Sequence, residues 1–574
     1  IIWFSRKSIQ QMRKVLNLLY ENVSLLVFGI IITYLCVTSF FNTCYISLDW
    51  NEYTFYLSDK PVRNLVIVVL VIVCFICFKK SKLVNKINKN KKLFLIIKYA
   101  LLLIIFVIGT FWVFNTKLYP TADQFSVQKS VSEFLDGNYD SAISNGYINN
   151  NFQQRGLFML SYLFSLVFGD MNIIALEMVN VIASVLIFKS LSEIVGFYKG
   201  TYSMQLFVVA CGIFFPVVVL YSYFIYGNIV GLAFSLLAIK HELLFIEEKK
   251  ITNALLSTIF IFLGILCKST YQIYFIAMLI CIIFNLINKY ELKKIIYLGL
   301  LIISILFSSL LPTRFIENKT NIKMSEGLSF YSYIAMGLQE SDMAPGWYNG
   351  FNHDSYATCN NDTKKHKEYS KIEIEKRIGM FTDNLDYADE FFTKKIVSEW
   401  NNPTYQVFWN IQDKYSDGFE PQPFIREFLS LKSTYKVQKY LNILDSIIKF
   451  GALLYVFYLI FNKSNENLIL PITFVGGFLF LSFLSEAKAQ YAIIFSTLLI
   501  PLATMGYNHV ANLIVEKRCS FKTKKVTIMI FVLLILFTCI NIANKSFLSK
   551  NDDLYYKYVS QNGNFDYINP PEYY

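Results

Sequence analysis

The sequence predicts an all-α polytopic membrane protein, on three observations. Hydrophobic residues make up 55% of the 574 and charged residues only 16%, a balance unlike that of soluble domains. Mean hydropathy is +0.43, and apolar runs of spanning length recur along the chain, about thirteen of them. The polar segments between the runs differ in character. Basic stretches such as Lys79-Lys80-Ser81-Lys82 and Lys91-Lys92 alternate with mixed segments rich in Tyr, Asn and Asp. Basic loops stay cytoplasmic, so this asymmetry predicts a multi-pass plasma-membrane protein with its N-terminus inside. The net charge of +12 belongs to those loops and gives no reason to expect nucleic acid.

Residues 1–114 hold the N-terminal spans. An interfacial helix is expected at 8–20 and a first span at 22–41. Arg6, Lys7, Arg13 and Lys14 precede that span and no small-residue cleavage site follows it, the pattern of a retained signal anchor. A short outer loop with Asp49 and Glu52 leads to the second span, 63–78, which ends in the basic run. The third, 93–114, returns to the outside. It carries Lys98 near its inner end, where snorkelling to the surface is expected.

Residues 115–169 form the first large outer loop. Thr121 and Gln124 have capping-box spacing, which predicts a helix start there. Val127, Val131, Phe134 and Leu135 then make one apolar stripe. Leu157 to Phe168 is apolar but too short to cross. A juxtamembrane helix on the outer surface is expected, with Ser161 and Ser165 on one face.

Residues 170–312 form the membrane core, with spans at 172–194, 202–220, 227–246, 251–267, 271–287 and 295–312. Residues 313–440 are polar and predict a small, mainly helical extracytoplasmic cap, with helices at 364–379 and 385–399. It contains Trp347, Trp400 and Trp409, which suit either stacking on sugar rings or the cap's own core. Residues 441–545 carry the C-terminal spans, at 446–462, 468–485, 492–508 and 526–543. Residues 546–574 form an outer tail ending in Pro-Pro-Glu-Tyr-Tyr. With these spans Lys240, Lys249, Lys250, Lys293, Lys294, Lys517, Arg518, Lys522, Lys524 and Lys525 all fall inside. Cys74 and Cys77 form a C-x-x-C, but within a span, which argues against redox or metal work. Cys44 and Cys359 alone fall outside, the one pair a disulfide could join.

Topology gathers several polar residues at the outer membrane face. Asp123 and Arg155 come from the first outer loop, Tyr226-Gly227-Asn228 from the start of a span and Lys268 from a short turn. Glu486, Lys488, Gln490 and Tyr491 come from a later turn. Polar clusters beside lipid are expensive, so their presence points to function. Cations at headgroup level suit a lipid-linked phosphate. Asp123 falls in a first helical turn, where the dipole favours an ionised carboxylate, and it is the candidate general base. A plain helix-start role for Asp123 and helix-end anchoring for Lys268 and Lys488 stand beside these assignments.

Further motifs accompany this cluster. Asp123 is followed by a helix, Gly137-Asn138-Tyr139, Gly146-Tyr147, Phe152-Gln153-Gln154-Arg155-Gly156 and Phe168-Gly169. Leu266-Cys267-Lys268, Met336-Gly337-Leu338-Gln339, Pro345-Gly346-Trp347-Tyr348-Asn349 and Glu486-Ala487-Lys488-Ala489-Gln490-Tyr491 come later. In this order, over residues 90–510, they resemble the polytopic glycosyltransferases of the GT-C fold. The likeness is to the protein O-mannosyltransferase and aminoarabinose transferase group, in its bacterial cell-envelope branch. The resemblance implies a GT-C-like fold in which 115–169 is the first catalytic loop. It implies inverting transfer of a sugar from a polyprenyl-phosphate donor to a cell-envelope acceptor: a polysaccharide, teichoic acid, lipid or protein. Asp123 would be the base. Arg155, Lys268, Glu486, Lys488, Gln490 and Tyr491 would hold the donor phosphate, and Gln153, Gln154, Tyr226, Asn228 and Trp347 the substrates. No cofactor beyond the lipid-linked donor is implied. Asn228 stands where an acidic residue is usual, which argues against a divalent metal. Gln490 stands where Arg is usual, so that phosphate contact is either missing or supplied by Lys488, and Asn151-Phe152 replaces a Tyr-Pro. A polysaccharide polymerase or ligase is the alternative enzyme, though Arg314, Arg377 and Arg426 are scattered. A lipid-linked-glycan flippase or transporter is the alternative non-enzyme, though no internal repeat is visible.

Overall fold

The computed structural model describes residues 6–48, 51–409, 419–461, 468–516, 525–549 and 551–560. Ile1, Asp49, the basic run Lys517 to Lys524 and the Pro-Pro-Glu-Tyr-Tyr end lie outside them. The protein is a multi-pass helical bundle. Among the described residues, eight helices are long and apolar enough to cross a membrane, or up to eleven if three bent pairs each count as one span. Two shorter apolar helices, Ile251–Cys267 and Ile469–Phe483, complete the set. Each expected span has an apolar helix at its position.

Two groups of helices pack together. In one, Asn228–Glu248 lies against Ile173–Phe197 and Ile251–Cys267, with Lys91–Thr116 and Leu292–Thr320 alongside. In the other, Leu431–Phe461 lies against Arg6–Phe41 and Leu499–Glu516. Outward faces remain apolar, as at Leu103, Val107, Leu306 and Leu310; lipid is the environment that leaves such surface without cost.

Several details differ from expectation. Residues 8–20 and 22–41 join in one helix, Arg6–Phe41. The 202–220 span breaks by 49° between Tyr202–Phe214 and Val217–Tyr223, at Pro216, which cannot donate an intrahelical hydrogen bond. The 492–508 span breaks by 48° between Ala489–Ser496 and the following helix. Leu292–Thr320 and Leu431–Phe461 extend into the 313–440 segment from both sides. Lys98 does not snorkel: it is buried and its Nζ lies 3.1 Å from Glu193 Oε1, while Lys240 Nζ lies 2.9 Å from Glu193 Oε2. A charge inside a span is cheaper when paired. Cys44 and Cys359 are both free thiols; Cys44 is sealed from solvent.

Among the described residues, one hairpin interrupts the helical pattern. Strands β1 (Asn42–Ile46) and β2 (Thr54–Ser58) pair antiparallel, Asn42 opposite Ser58. Thr, Tyr, Phe and Ile dominate both, residues that suit a pleated, buried surface. Cys44 N–H donates to Asn401 O at 3.1 Å and Tyr56 OH to Lys394 O at 3.2 Å, fastening the hairpin to Leu385–Trp400. Tyr555 and Tyr558 of the Asp552–Ser560 helix pack against Phe55. The hairpin and the Asp552–Ser560 helix thus cap the same end of the bundle as helices Phe330–Gly337, Phe351–Thr358, Thr363–Asp383 and Leu385–Trp400.

Candidate functional site

At this cap end, loops from distant parts of the chain enclose a cavity of about 550 Å³. The Ala122–Leu135 helix brings Asp123 to its wall. The helix starts after Thr121 as expected, but the capping box does not form: Thr121 makes no side-chain cap bond. Gln124 turns away instead, and its Oε1 accepts from Ile225 N–H at 3.0 Å. That bond docks the helix start onto the Tyr221–Asn228 loop. Ala122 is held at φ +50°, a conformation that costs a non-glycine residue energy and persists only where its surroundings impose it. Val127, Val131 and Phe134 bury their stripe beneath. Asp123 itself is exposed to the cavity. Tyr226 OH donates to Asp123 Oδ2 at 2.8 Å and in turn accepts from Gln154 Nε2. The carboxylate is held from one side and open on the other. Burial, then the Asp123 charge, pushes the phenols of Tyr147 and Tyr226 upward, so both stay protonated.

Lys268 ends the Ile251–Cys267 helix. Its Nζ donates to Asn228 Oδ1 at 2.7 Å and lies 4.4 Å from the Tyr226 ring centre and 4.9 Å from that of Tyr491. Two aromatic faces and one amide oxygen surround the ammonium, a cation–π cage. Among the described residues no carboxylate oxygen lies within ion-pair distance of it. Burial lowers its pKa to about 7, against the upward pull of Asp123 and Glu486. Two glycines allow its elements to meet. A Cβ on Gly227, at φ +78°, would stand 2.1 Å from Cys267 O, and one on Gly156 would stand 2.4 Å from Leu266 O.

The 485–491 turn supplies the remaining wall. Tyr491 OH donates to Glu486 Oε1 at 2.8 Å, and burial raises the Glu486 carboxyl. Lys488 Nζ lies 2.9 Å from Glu52 Oε1 and 4.7 Å from the Trp409 ring centre. Gln490 lines the cavity, and its N–H donates to Gln406 Oε1 at 3.3 Å. Beneath the turn, buried Lys395 donates to Gly337 O at 2.6 Å and Ser485 O at 2.9 Å. On the far wall, Gln153 Nε2 donates to Tyr333 OH at 2.9 Å.

The cavity thus brings together Asp123, Gln153, Gln154, Tyr226, Lys268, Glu486, Lys488, Gln490 and Tyr491. Three expected site residues lie elsewhere. Asn228 is fully buried behind Lys268 and orients it. Arg155, expected on the phosphate, is buried and donates to Ile148 O, Asn149 O and Ser325 O at 3.3, 2.9 and 2.6 Å. Its guanidinium clamps the loop onto the cap. Trp347, expected at the substrate, is fully enclosed, with Nε1 donating to Ser398 Oγ at 2.9 Å. Among the described residues, the tryptophan that reaches the cavity is Trp409.

Sequence reasoning also left Glu52 and Tyr333 out of the site. Glu52 stands 436 residues from Lys488, and its one local signal was an acidic residue between two short aromatic β-type runs. Arg314, Arg377 and Arg426 serve Glu317, Leu338 O and Glu420. A second cavity of about 530 Å³, lined by Arg155, Thr313, Ser325 and Lys367, shares Phe152, Gln153, Ser269 and Phe330 with the first. Among the described residues no group of three or more His, Cys, Asp or Glu side chains could hold a metal ion. No protein-family model matches the chain, and a search of curated proteins finds no match.

Proposed function

We propose that this protein is an inverting glycosyltransferase that moves a sugar from a polyprenyl-phosphate donor to a hydroxyl of a cell-envelope acceptor at the extracytoplasmic face of the plasma membrane. The observation that carries this is the pairing, in one cavity, of an open carboxylate and a caged cation. Asp123 has a side open toward the cavity, and Lys268 is surrounded by Tyr226, Tyr491 and Asn228 with no carboxylate partner among the described residues.

Asp123 removes the proton from the acceptor hydroxyl as that oxygen attacks the anomeric carbon. The bond to the lipid phosphate breaks on the opposite side, inverting the centre. The departing phosphate is already an anion, so it requires charge stabilisation more than protonation. Lys268 supplies that charge. Tyr226 bridges the two, donating to Asp123 Oδ2 and offering its ring face to Lys268. The exposed apolar side of Arg155–Phe168, with Leu163, Leu166, Val167 and Phe168, supports a prenyl chain running alongside in lipid.

The test is sugar transfer by purified protein in nanodiscs from a polyprenyl-phosphate donor, paired with mass analysis of envelope glycans from cells with and without the protein. Glycans identical in the two strains, with no transfer in vitro, remove the assignment.

A further inference from the structure

Among the cavity's charged groups, Glu52 has no place in the mechanism above, yet the fold goes to some length to install it. The hairpin that delivers it is fastened at several points: Cys44 N–H to Asn401 O, Asn42 Nδ2 to Leu548 O at 3.1 Å, and Tyr56 N–H to Asn551 Oδ1 at 3.2 Å. Glu52 itself is held at φ +47°, a conformation that persists only where surrounding contacts impose it. Its side chain is 4% exposed and fully engaged, with Oε1 at 2.9 Å from Lys488 Nζ and Oε2 accepting from Gln406 Nε2 at 2.7 Å. Gln406 in turn accepts from the Gln490 N–H. Glu52 and Lys488 both line the cavity wall.

We infer that Glu52 is a specificity-determining residue: an internal anion that occupies Lys488, so that among the described lining residues Lys268 is the cation offered to the phosphate of the ligand. This rests on the proposed function and deepens it. A ligand with one phosphate meets one cation that, among the described residues of the cavity, has no carboxylate partner. A diphosphate ligand would bring its second phosphate toward a cation already neutralised by a buried carboxylate. Displacing Glu52 from Lys488 would leave a buried carboxylate unpaired, which is strongly unfavourable. Removing the Glu52 charge should open the cavity to diphosphates.

Full-length protein in nanodiscs is titrated with farnesyl phosphate and farnesyl diphosphate, in the wild type, Glu52→Gln, Lys488→Gln and the double variant. The wild type should favour the monophosphate. Glu52→Gln keeps the side-chain shape, frees Lys488 and should tighten diphosphate binding about tenfold or more, with a smaller change for the monophosphate. The double variant should return to the wild-type preference. Lys488→Gln unmasks the Glu52 charge and should weaken both ligands. If Glu52→Gln folds and the ratio of affinities is unchanged, the proposal is wrong. If that variant does not fold, Lys488→Gln decides: loss of diphosphate binding alone would show that Lys488 already serves a phosphate with Glu52 in place, and overturn it. Wild-type protein that binds neither prenyl phosphate removes the functional reading itself, an outcome distinct from an unchanged ratio.

Discussion

Two charge clusters of the bundle are held in opposite ways, although the cap-end cavity also contains a paired set, Glu52 with Lys488. At the end opposite the cap, charges are paired off. Glu193 lies between Lys98 and Lys240, and Glu291 between Lys249 and Lys289 at 2.9 and 3.3 Å. At the cap end, Asp123 and Lys268 share a cavity wall, and each is held by neutral groups, a phenol for one and an amide with two rings for the other. A paired cluster has met its electrostatic needs and can serve structure alone. Groups oriented by neutral partners, with a void in front of them, keep their charge for something else.

The sharpest way to break that comparison is to neutralise one carboxylate at the cap end and one cation at the other. Asp123→Asn preserves shape and the bond from Tyr226 but removes the base. General-base catalysis contributes about 10²–10⁴-fold, so turnover should fall by that order while donor binding survives. Lys98→Ala should change turnover per folded molecule little, because Lys240 still pairs with Glu193. Turnover normalised to folded, membrane-inserted protein separates the two. Near wild-type turnover in Asp123→Asn would leave Asp123 as a helix-start residue only.

Next in size is Lys268→Ala. Loss of one charge-assisted contact costs about 1.5–3 kcal/mol, so donor affinity should fall roughly 10- to 150-fold, well beyond any effect of Lys98→Ala. Equal effects would remove Lys268 from the site. A smaller effect follows from its pKa, lowered from the usual 10.5 to about 7. The cation is present below that pH and is lost above it. Affinity for a sugar phosphodiester, whose own charge is constant here, should therefore weaken as pH rises from 6 to 8. Lys268→Arg keeps its charge throughout and should flatten the profile. A titration at several pH values checks both.

How much of this was legible in the sequence depended on the length scale of the signal. Spans announce themselves by twenty-residue apolar runs, and every expected one has its helix. The Asp123 helix and the buried Val127, Val131 and Phe134 stripe were readable from local periodicity. Most of the cavity wall was readable because topology alone puts those turns at one depth. What local pattern could not show was the choice of partner. Thr121 and Gln124 have capping-box spacing, but Gln124 bonds Ile225, about a hundred residues away. Glu52 meets Lys488 through a hairpin no helical periodicity predicts. Trp347 and Trp409 look alike in sequence, yet only Trp409 reaches the cavity.

The smallest expected effect on chemistry, and the one that sharpens the comparison most, concerns Arg155. By sequence it belonged with Lys268 as a phosphate ligand. In the fold its guanidinium is committed to Ile148 O, Asn149 O and Ser325 O. A planar fork reaching several carbonyls is poorly replaced by an ammonium. Arg155→Lys should therefore loosen the 146–155 loop from the 321–329 segment and lower thermal stability by about 1–3 kcal/mol. Donor affinity and turnover per folded molecule should stay close to wild type. Burial lowers the Arg155 pKa only to about 10, so its charge does not change near neutral pH and should leave no trace in the pH profile. The measurement is a thermal melt in nanodiscs beside a donor titration. Normal stability with weakened donor binding would return Arg155 to the phosphate and make its carbonyl contacts a resting arrangement; lowered stability with normal binding assigns it to the scaffold that holds Asp123 and Lys268 in place.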